Sequence, residues 1–226
     1  MLRYLSFGLL FVQLLQLSTF SHALPTDQQP LKEEIDGSLS SVRDALKEAE
    51  IIPTVIDDFS PILTLDVSWP KKDAELGNTL KVKHVQDEPT ITLKSGNGST
   101  LLDVLNLGGK KNTTYVVALT DPDAPSRDNP EWSEICHWIV AVTANKTETI
   151  MPYKAPGPPP KTGKHRYVFL VFAPKNGTTE PLNLTKPSDR KHWGSGIQGF
   201  GAAWWSELNG LITIGANFIY AQNKKQ

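Results

Sequence analysis

Seven short runs of β-forming residues, separated by clusters of proline, glycine and asparagine, place the strongest constraint on how this chain can fold. The runs span residues 62–67, 80–85, 90–93, 115–120, 137–142, 166–172 and 211–220. Parallel strands need long crossover connections, which are usually helices, and only one helical pattern, late in the chain, lies between these runs. The pattern therefore favours a mostly β protein, an antiparallel sandwich or barrel, over a parallel α/β sheet.

Two helices are predicted at the periphery of this β protein. The first begins at a possible cap, Ser38, and is stopped by Pro53. Its apolar face collects residues at three- and four-residue spacing, namely Leu39, Val42, Leu46 and Ala49. The second spans residues 197–208, and its predicted apolar face consists of Phe200, Trp204 and Leu208. We expect both helices to pack their apolar faces on the sheets.

The first 23 residues have the pattern of a secretory signal peptide. A basic start at Arg3 precedes an apolar run over residues 5–17, and Ser21-His22-Ala23 forms a small-x-small cleavage site. A helix of about 13 residues reaches only about 20 Å, short of a bilayer core of about 30 Å, so we expect no transmembrane anchor. The predicted organisation is a signal peptide at 1–23, an N-terminal arm and helix at 24–50, and one β domain at 51–226.

Asparagine-linked glycosylation sequons independently support entry into the secretory pathway. They occur at Asn97, Asn112, Asn145, Asn176 and Asn183. These sites are acceptors only in a chain that enters the secretory pathway, and each then predicts an exposed loop. Simple turn chemistry is the alternative for one or two of them, since Asn-Gly is also a turn sequence. We expect a secreted or extracellular protein, with a vacuole reached through the same pathway as the alternative.

Composition excludes several classes of function. A formal net charge of -1 gives no basic face for nucleic acid, and a single cysteine excludes an intramolecular disulfide framework. No Walker loop, nucleophile elbow or His-Glu-x-x-His pattern is present, so neither a cofactor nor a catalytic residue is predicted. The histidines lack metal-ligand spacing, which predicts no metal site; they stand at positions 22, 84, 137, 165 and 192.

The polar residues that can do chemistry concentrate after the run at 115–120. There Asp121-Pro-Asp-Ala-Pro-Ser-Arg127 forms a loop that its two prolines make stiff. Asp121 and Asp123 can orient imidazoles by accepting a ring N–H, can ligate a cation, or can simply cap their own backbone in a surface turn.

Two later segments add candidate partners for these aspartates. His137 starts one predicted strand, whereas His165 and Tyr167 stand two apart in another strand and so share one face, with Arg166 on the opposite face. The loop before that second strand contains Gly157, which lets a ligand approach the backbone closely. These residues can form a small polar cup near strand ends.

Cys136 precedes His137, but alternation along a strand turns their side chains to opposite faces. We therefore expect a buried thiol that cannot use His137 as a base. The alternative of a hydrolase requires a serine nucleophile, and Ser126 in the Asp-Pro-Asp loop is the one nearby candidate.

At these residues the chain resembles the phosphatidylethanolamine-binding protein family. The resemblance rests on Asp121-Pro-Asp-Ala-Pro-Ser-Arg127 with His137, and on Gly157-Pro-Pro with Gly163-Lys-His-Arg-Tyr167. Other segments, including Ser133-Glu-Ile-Cys-His137 and Asn217-Phe-Ile-Tyr-Ala221, are similar to the fungal carboxypeptidase Y inhibitor branch. The likeness extends over residues 51–221. One departure is Pro160-Lys161, where the family usually has Lys-Gly, which makes the rim of the site stiffer.

The resemblance implies an antiparallel β-sandwich with a few peripheral helices and a shallow pocket for phosphate-like anions or phospholipid headgroups. The ligand-binding residues carried over are Asp121, Asp123, Pro125, His137, Gly157, His165 and Tyr167. In this pocket each histidine can donate one ring N–H to an anion while an aspartate holds the other nitrogen and favours the imidazolium. Tyr167 can add a hydroxyl donor.

Three functions follow from these observations. The first is a non-catalytic, monomeric module that binds a small anion or a phospholipid headgroup. The alternative is an inhibitor of a serine carboxypeptidase; in that branch the N-terminal segment is implicated in engaging the protease, and here it would begin near Leu24. The third is a hydrolase that uses the same histidines and aspartates.

Overall fold

The computed structural model describes residues 37–95, 114–143 and 146–225, and this part of the chain contains nine strands, two α-helices and two short 3-10 helices. The strands are β1 (Leu63–Trp69), β2 (Lys72–Asp73), β3 (Asn78–Lys81), β4 (Thr90–Ser95), β5 (Tyr115–Asp121), β6 (Ile135–Val142), β7 (Thr147–Met151), β8 (Lys164–Pro174) and β9 (Leu211–Gln222). The helices are α1 (Gly37–Glu48) and α2 (Ala202–Leu208).

These strands form two sheets, as the sequence pattern predicts. The smaller sheet has the order β2-β1-β4, and the larger has the order β3-β9-β8-β5-β6-β7. Every pairing is antiparallel except that of β3 with β9, which is parallel. The predicted mostly antiparallel β-sandwich is confirmed, with this one parallel pair at an edge of the larger sheet.

The larger sheet is covered on both faces, which explains why its central strands are apolar without a break. In β8, Phe169 belongs to the core cluster shared with β1 of the small sheet, whereas Leu170 belongs to the cluster shared with α1. Both are fully buried. A strand buried on both faces admits a polar residue only where that residue is hydrogen-bonded, because each alternate side chain meets a core. Truncating such a phenylalanine to alanine costs about 3–5 kcal/mol.

The first predicted helix is confirmed in its buried face, but Ser38 lies inside the helix and does not cap it. It begins at Gly37 and ends at Glu48, before Pro53. The four residues of its predicted apolar face are buried, namely Leu39, Val42, Leu46 and Ala49.

The second predicted helix is too long, and its predicted apolar face is wrong. Gly199 has a φ of +76°, which an α-helix cannot accommodate, so α2 starts only at Ala202. The helix buries Ala202 and Trp205, whereas Phe200 and Leu208 are exposed. Trp204, the third residue of the predicted face, is half-buried and packs against the core, so the spacing of four residues misplaced two of the three side chains.

Other sequence predictions meet the structure only in part. The predicted run at 80–85 is strand only as far as Lys81, and β2 and β7 were not predicted. Of the five sequons, Asn176 and Asn183 are exposed, and Asn97, Asn112 and Asn145 lie outside the described residues, as does the predicted signal peptide. Within the described ranges, no helix combines the length and the hydrophobicity that crossing a bilayer requires.

Candidate functional site

Asp121 and His165 form a buried pair where β5 ends and β8 begins. The Asp121 carboxylate accepts a hydrogen bond from His165 Nδ1 at 2.9 Å, and its other oxygen accepts the backbone N–H of Asp123 at 2.8 Å. His165 Nε2 lies 3.0 Å from the hydroxyl of Thr162. Both ring nitrogens of His165 therefore have partners within the chain. A ligand can bond directly to this imidazole only by displacing Thr162.

A β-bulge brings His137 to the same face of the sheet as Asp121. Leu119 pairs with Trp138 and Thr120 pairs with Cys136, so His137 is the extra residue between them. A bulge redirects a side chain relative to simple alternation. The His137 ring consequently meets the Tyr167 ring edge-on, with 5.2 Å between the centroids.

The His137 imidazole is neutral near pH 7, contrary to the expected imidazolium. Its Nδ1 donates to the backbone carbonyl of Lys154 at 2.6 Å rather than to an aspartate. Burial lowers the pKa of His137 to about 4, because desolvation outweighs the attraction of Asp121. Within the described residues no hydrogen bond joins its Nε2 to another group. This nitrogen is a lone-pair acceptor until it takes up a proton.

Tyr167 and Gly157 complete the pocket. The Tyr167 hydroxyl accepts the backbone N–H of Gly157 at 3.3 Å. Burial, and then the charge of Asp121, raise the pKa of Tyr167, so its phenol stays protonated and can donate. A Cβ added at Gly157 would contact only the Ala155 carbonyl oxygen, at 3.9 Å, so the space beside this glycine is open. Asp121, His137, Gly157, His165 and Tyr167 are called the histidine pocket below.

Asp123 faces away from the imidazoles and pairs with Arg166. Its carboxylate accepts hydrogen bonds from the Arg166 backbone N–H, Nε and Nη2, at 2.7, 2.9 and 2.5 Å. Arg166 Nη1 in turn donates to the carbonyls of Ala49 and Glu50, directly after α1. Both charged side chains are buried. Asp123 therefore anchors the loop to the end of α1.

Pro125 lies in the same loop, after a cis Ala124–Pro125 bond, and is half-buried. The structure thus brings Asp121, His137, Gly157, His165 and Tyr167 together, whereas Asp123 belongs to a neighbouring network.

Arg190 supports the pocket and was not predicted. Its Nη1 donates to the carbonyls of Cys136 and His137, and its Nη2 donates to that of Pro152. It thereby ties the bulge to the segment that supplies the carbonyl of Lys154. An arginine that binds only backbone carbonyls has no sequence signature. Thr162 was also missed, although it lies in the glycine- and proline-rich loop that the sequence singles out.

A second buried polar network lies on the opposite face of β5. The Glu134 carboxyl bonds to the Thr120 hydroxyl at 2.9 Å and accepts the backbone N–H of Ala202, the first residue of α2. Trp193 Nε1 donates to the same hydroxyl. Burial raises the pKa of Glu134 to about 8. A neutral Glu134 donates its proton to the Thr120 hydroxyl, which can then donate to the carbonyl of Ile135 at 3.2 Å. Every polar group of this network therefore has a hydrogen-bond partner.

The alternatives that involve a nucleophile or a metal find little support in the geometry. Ser126 Oγ accepts the backbone N–H of Asn129, and no hydrogen bond joins it to a histidine within the described ranges. Cys136 is buried on the face opposite His137, as predicted, and burial raises its thiol pKa to about 12. No three His, Cys, Asp or Glu side chains of the described residues cluster as metal ligands would.

A family model described as phosphatidylethanolamine-binding protein matches residues 70–204. The chain belongs to this family. Every residue of the histidine pocket lies inside the matched range, together with the Asp123–Arg166 pair. The predicted family is thereby confirmed.

One relative and two solved structures show how much of the chain this similarity covers. The carboxypeptidase Y inhibitor of Saccharomyces cerevisiae is 28% identical over 221 residues, which cover 86% of this chain and 100% of the inhibitor. A crystal structure of carboxypeptidase Y inhibitor complexed with the cognate proteinase matches with a TM-score of 0.72 at 28% identity, covering 84% of this chain and 98% of that one. The phosphatidylethanolamine-binding protein from Plasmodium vivax matches with a TM-score of 0.63 at 21% identity, covering 80% and 97%, and shows the fold alone.

Proposed function

We propose that this chain inhibits a serine carboxypeptidase of the carboxypeptidase Y type. The observation that carries the proposal is its similarity to the yeast carboxypeptidase Y inhibitor over the whole length of that relative. This likeness extends beyond residues 70–204, to which the family model is limited. The best structural agreement quoted above is with the inhibitor in its complex with a proteinase. A likeness restricted to the histidine pocket would support binding of a small ligand alone.

Peptide hydrolysis by carboxypeptidase Y, measured with increasing amounts of the purified chain, tests this proposal. We expect a dose-dependent loss of hydrolysis. A variant that lacks residues 24–36 keeps α1 and every later element, and it is expected to lose inhibition because the resemblance assigns protease contact to the N-terminal segment. His137→Ala serves as the matched variant and is expected to inhibit fully. Unchanged hydrolysis at a large excess of the wild-type chain would refute the proposal.

We propose as a second function that the histidine pocket binds small anions or phospholipid headgroups without catalysis. Three features favour it: the Nε2 of His137, which no described residue engages in a hydrogen bond, the neutral hydroxyl of Tyr167, and the open space beside Gly157. Because the neutral His137 offers a lone pair, an anion must bring a proton to Nε2 before it can accept a hydrogen bond there. Anion binding is therefore expected to be coupled to proton uptake.

Thermal unfolding with and without phosphate or phosphorylethanolamine tests this second function. A ligand that binds only the folded chain raises the melting temperature with its concentration. His137→Ala is expected to abolish the increase. His192→Ala is the matched control, since His192 Nδ1 also bonds to a backbone carbonyl, that of Ser133, and its ring is not part of the pocket. An equal increase in wild type and His137→Ala would contradict the proposal.

We further propose that the chain enters the secretory pathway after loss of residues 1–23 and carries glycans. The exposure of Asn176 and Asn183 supports this, because an acceptor asparagine must be accessible. Glycosidase treatment of the chain recovered from the medium is expected to reduce its mass, and Asn176→Gln with Asn183→Gln is expected to shrink that reduction. A chain found in the cytosol at its unmodified mass would overturn the assignment.

A further inference from the structure

A cleft of about 860 Å³ opens where β3 and β9 end, next to the histidine pocket. One wall is formed by residues 79–83, a second by Gly157 and Pro158, and a third by residues 222–225. Gly157 is the one residue that this cleft shares with the histidine pocket. The volume lies within the range of about 300–1,000 Å³ that is usual for small-molecule sites.

Hydrogen bonds join the segments around the cleft without a ligand. Asn223 Nδ2 donates to the carbonyl of Pro158 at 3.1 Å, and the backbone N–H of Lys161 donates to the carbonyl of Lys225 at 2.9 Å. Gln86 Nε2 donates to the carbonyl of Pro156 at 3.3 Å. Because these bonds join separate segments of the chain, the site is preformed and a ligand need not order it.

Four lysines, Lys81, Lys83, Lys224 and Lys225, line this cleft, and no acidic residue does. In the part of the chain that the structure describes, none of them forms an ion pair, whereas other lysines, such as Lys146, do. The positive charge of these lysines also acts on the nearby His84. Its pKa is lowered by desolvation and then by Lys83, Lys81 and two further lysines. The cleft therefore attracts negative charge.

Apolar groups form the floor between these lysines. Leu80 and Pro158 are buried and Val82 is half-buried. Lysine side chains extend such an apolar surface, because their methylene stems lie along it while the ammonium groups stay in water. A free inorganic anion would leave this floor uncovered, and an uncharged apolar molecule would leave the lysines unpaired.

We propose that this lysine cleft binds an amphiphilic anion, with its charged head among the four lysines and its apolar chain over Leu80, Val82 and Pro158. The proposal goes beyond carboxypeptidase inhibition and beyond anion binding in the histidine pocket, since none of the four lysines belongs to that pocket. It holds whether the charged head is a phosphate or a carboxylate, because lysine acts on either as a point charge.

Calorimetric titration of the purified full chain with dodecyl phosphate, below its critical micelle concentration, tests the proposal. We expect saturable binding that weakens at least about tenfold in Lys81→Gln/Lys83→Gln/Lys224→Gln/Lys225→Gln, because four screened attractions are lost together. The matched control replaces four lysines outside the cleft, in the variant Lys146→Gln/Lys175→Gln/Lys186→Gln/Lys191→Gln. This variant is expected to bind dodecyl phosphate with the wild-type affinity. Val82→Asp, which places a negative charge on the floor, is expected to weaken binding in an otherwise unchanged cleft.

Three further probes separate the head, the chain and the pocket. Inorganic phosphate and dodecyl maltoside are each expected to bind the lysine cleft far more weakly than dodecyl phosphate. Phosphate lacks the apolar chain, and dodecyl maltoside lacks the negative charge. His137→Ala is expected to retain the dodecyl phosphate binding that the quadruple cleft variant loses, and to lose only phosphate binding in the histidine pocket. Loss of binding in His137→Ala with retention in the quadruple cleft variant would overturn the proposal and support the histidine pocket. Equal affinity in the quadruple and matched variants, or tight binding of an acidic peptide in place of the amphiphile, would also overturn it.

Discussion

The substitution Asp123→Asn should lower the free energy of unfolding substantially, although it does not change the volume of the side chain. In the wild type the Asp123 carboxylate accepts three hydrogen bonds from Arg166, whose guanidinium is buried and has no other counter-charge within hydrogen-bonding distance among the described residues. Asparagine keeps the shape, removes the charge and turns an N–H group toward the donors of Arg166. Breaking a buried pair from one side costs about 3–5 kcal/mol. With a urea m-value of about 2 kcal/mol/M, the unfolding midpoint should fall by about 1.5–2.5 M.

A surface pair from the same region supplies the control. Arg127 binds Glu50 at 2.7 Å, but the two side chains are 40% and 69% exposed. Exposed pairs contribute about 0–1 kcal/mol, so Arg127→Gln should shift the midpoint by less than about 0.5 M. Urea unfolding followed by tryptophan fluorescence measures both variants. If Asp123→Asn shifts the midpoint no further than Arg127→Gln, the pair does not anchor the loop to α1 and the reasoning from its burial fails.

Three other consequences can be tested. The pKa of Glu134 is raised to about 8, so the folded chain retains a proton that the unfolded chain releases above its ordinary pKa of 4.5, and stability should fall as pH rises between these values. Glu134→Gln, which mimics the neutral acid, should remove that decline from urea midpoints measured across this window; an equal decline in both proteins would contradict the assignment. The Cys136 thiol, buried with a pKa of about 12, should react with a thiol reagent only upon unfolding, and rapid labelling of the native chain would disprove its burial. Sulfate, which does not titrate near neutrality, should bind the histidine pocket more tightly as pH falls toward the His137 pKa of about 4, with proton uptake in calorimetry; binding independent of pH would exclude His137 as the proton acceptor.

Strand positions in this fold are predictable because burial on two faces leaves a strong signature. The run at 166–172 contains five consecutive apolar residues, Val168 to Phe172, and the structure covers β8 on both faces. The alternation argument also assigned His165 and Tyr167 to one face and Arg166 to the other, as the structure has them. Helical spacing failed to predict the start of α2, because a pattern of apolar residues does not register that Gly199 adopts a left-handed conformation.

Within the site, the sequence identified most of the residues but not their partners. His137 shares a face with Asp121 only because a bulge offsets the register of β6, and a bulge depends on pairing between distant segments. The bond from His137 to the carbonyl of Lys154 depends equally on where a loop lies. Backbone acceptors are the same in every residue, so no side-chain pattern can reveal them.

Asp121 and Asp123 lie in one short loop but bind different partners. Their structural roles limit which variants can test ligand binding. Asp121 holds the ring of His165 and the N–H of Asp123, and Asp123 holds Arg166, so replacing either aspartate perturbs folding together with any ligand contact. His165 is bound on both ring nitrogens and raises the same difficulty. His137 differs, because only its Nδ1 holds another group, the carbonyl of Lys154, whereas its Nε2 supports no other described group. A loss of anion binding in His137→Ala at unchanged stability would therefore report on ligand contact, whereas the same loss in Asp121→Ala would not distinguish a missing contact from a collapsed pocket.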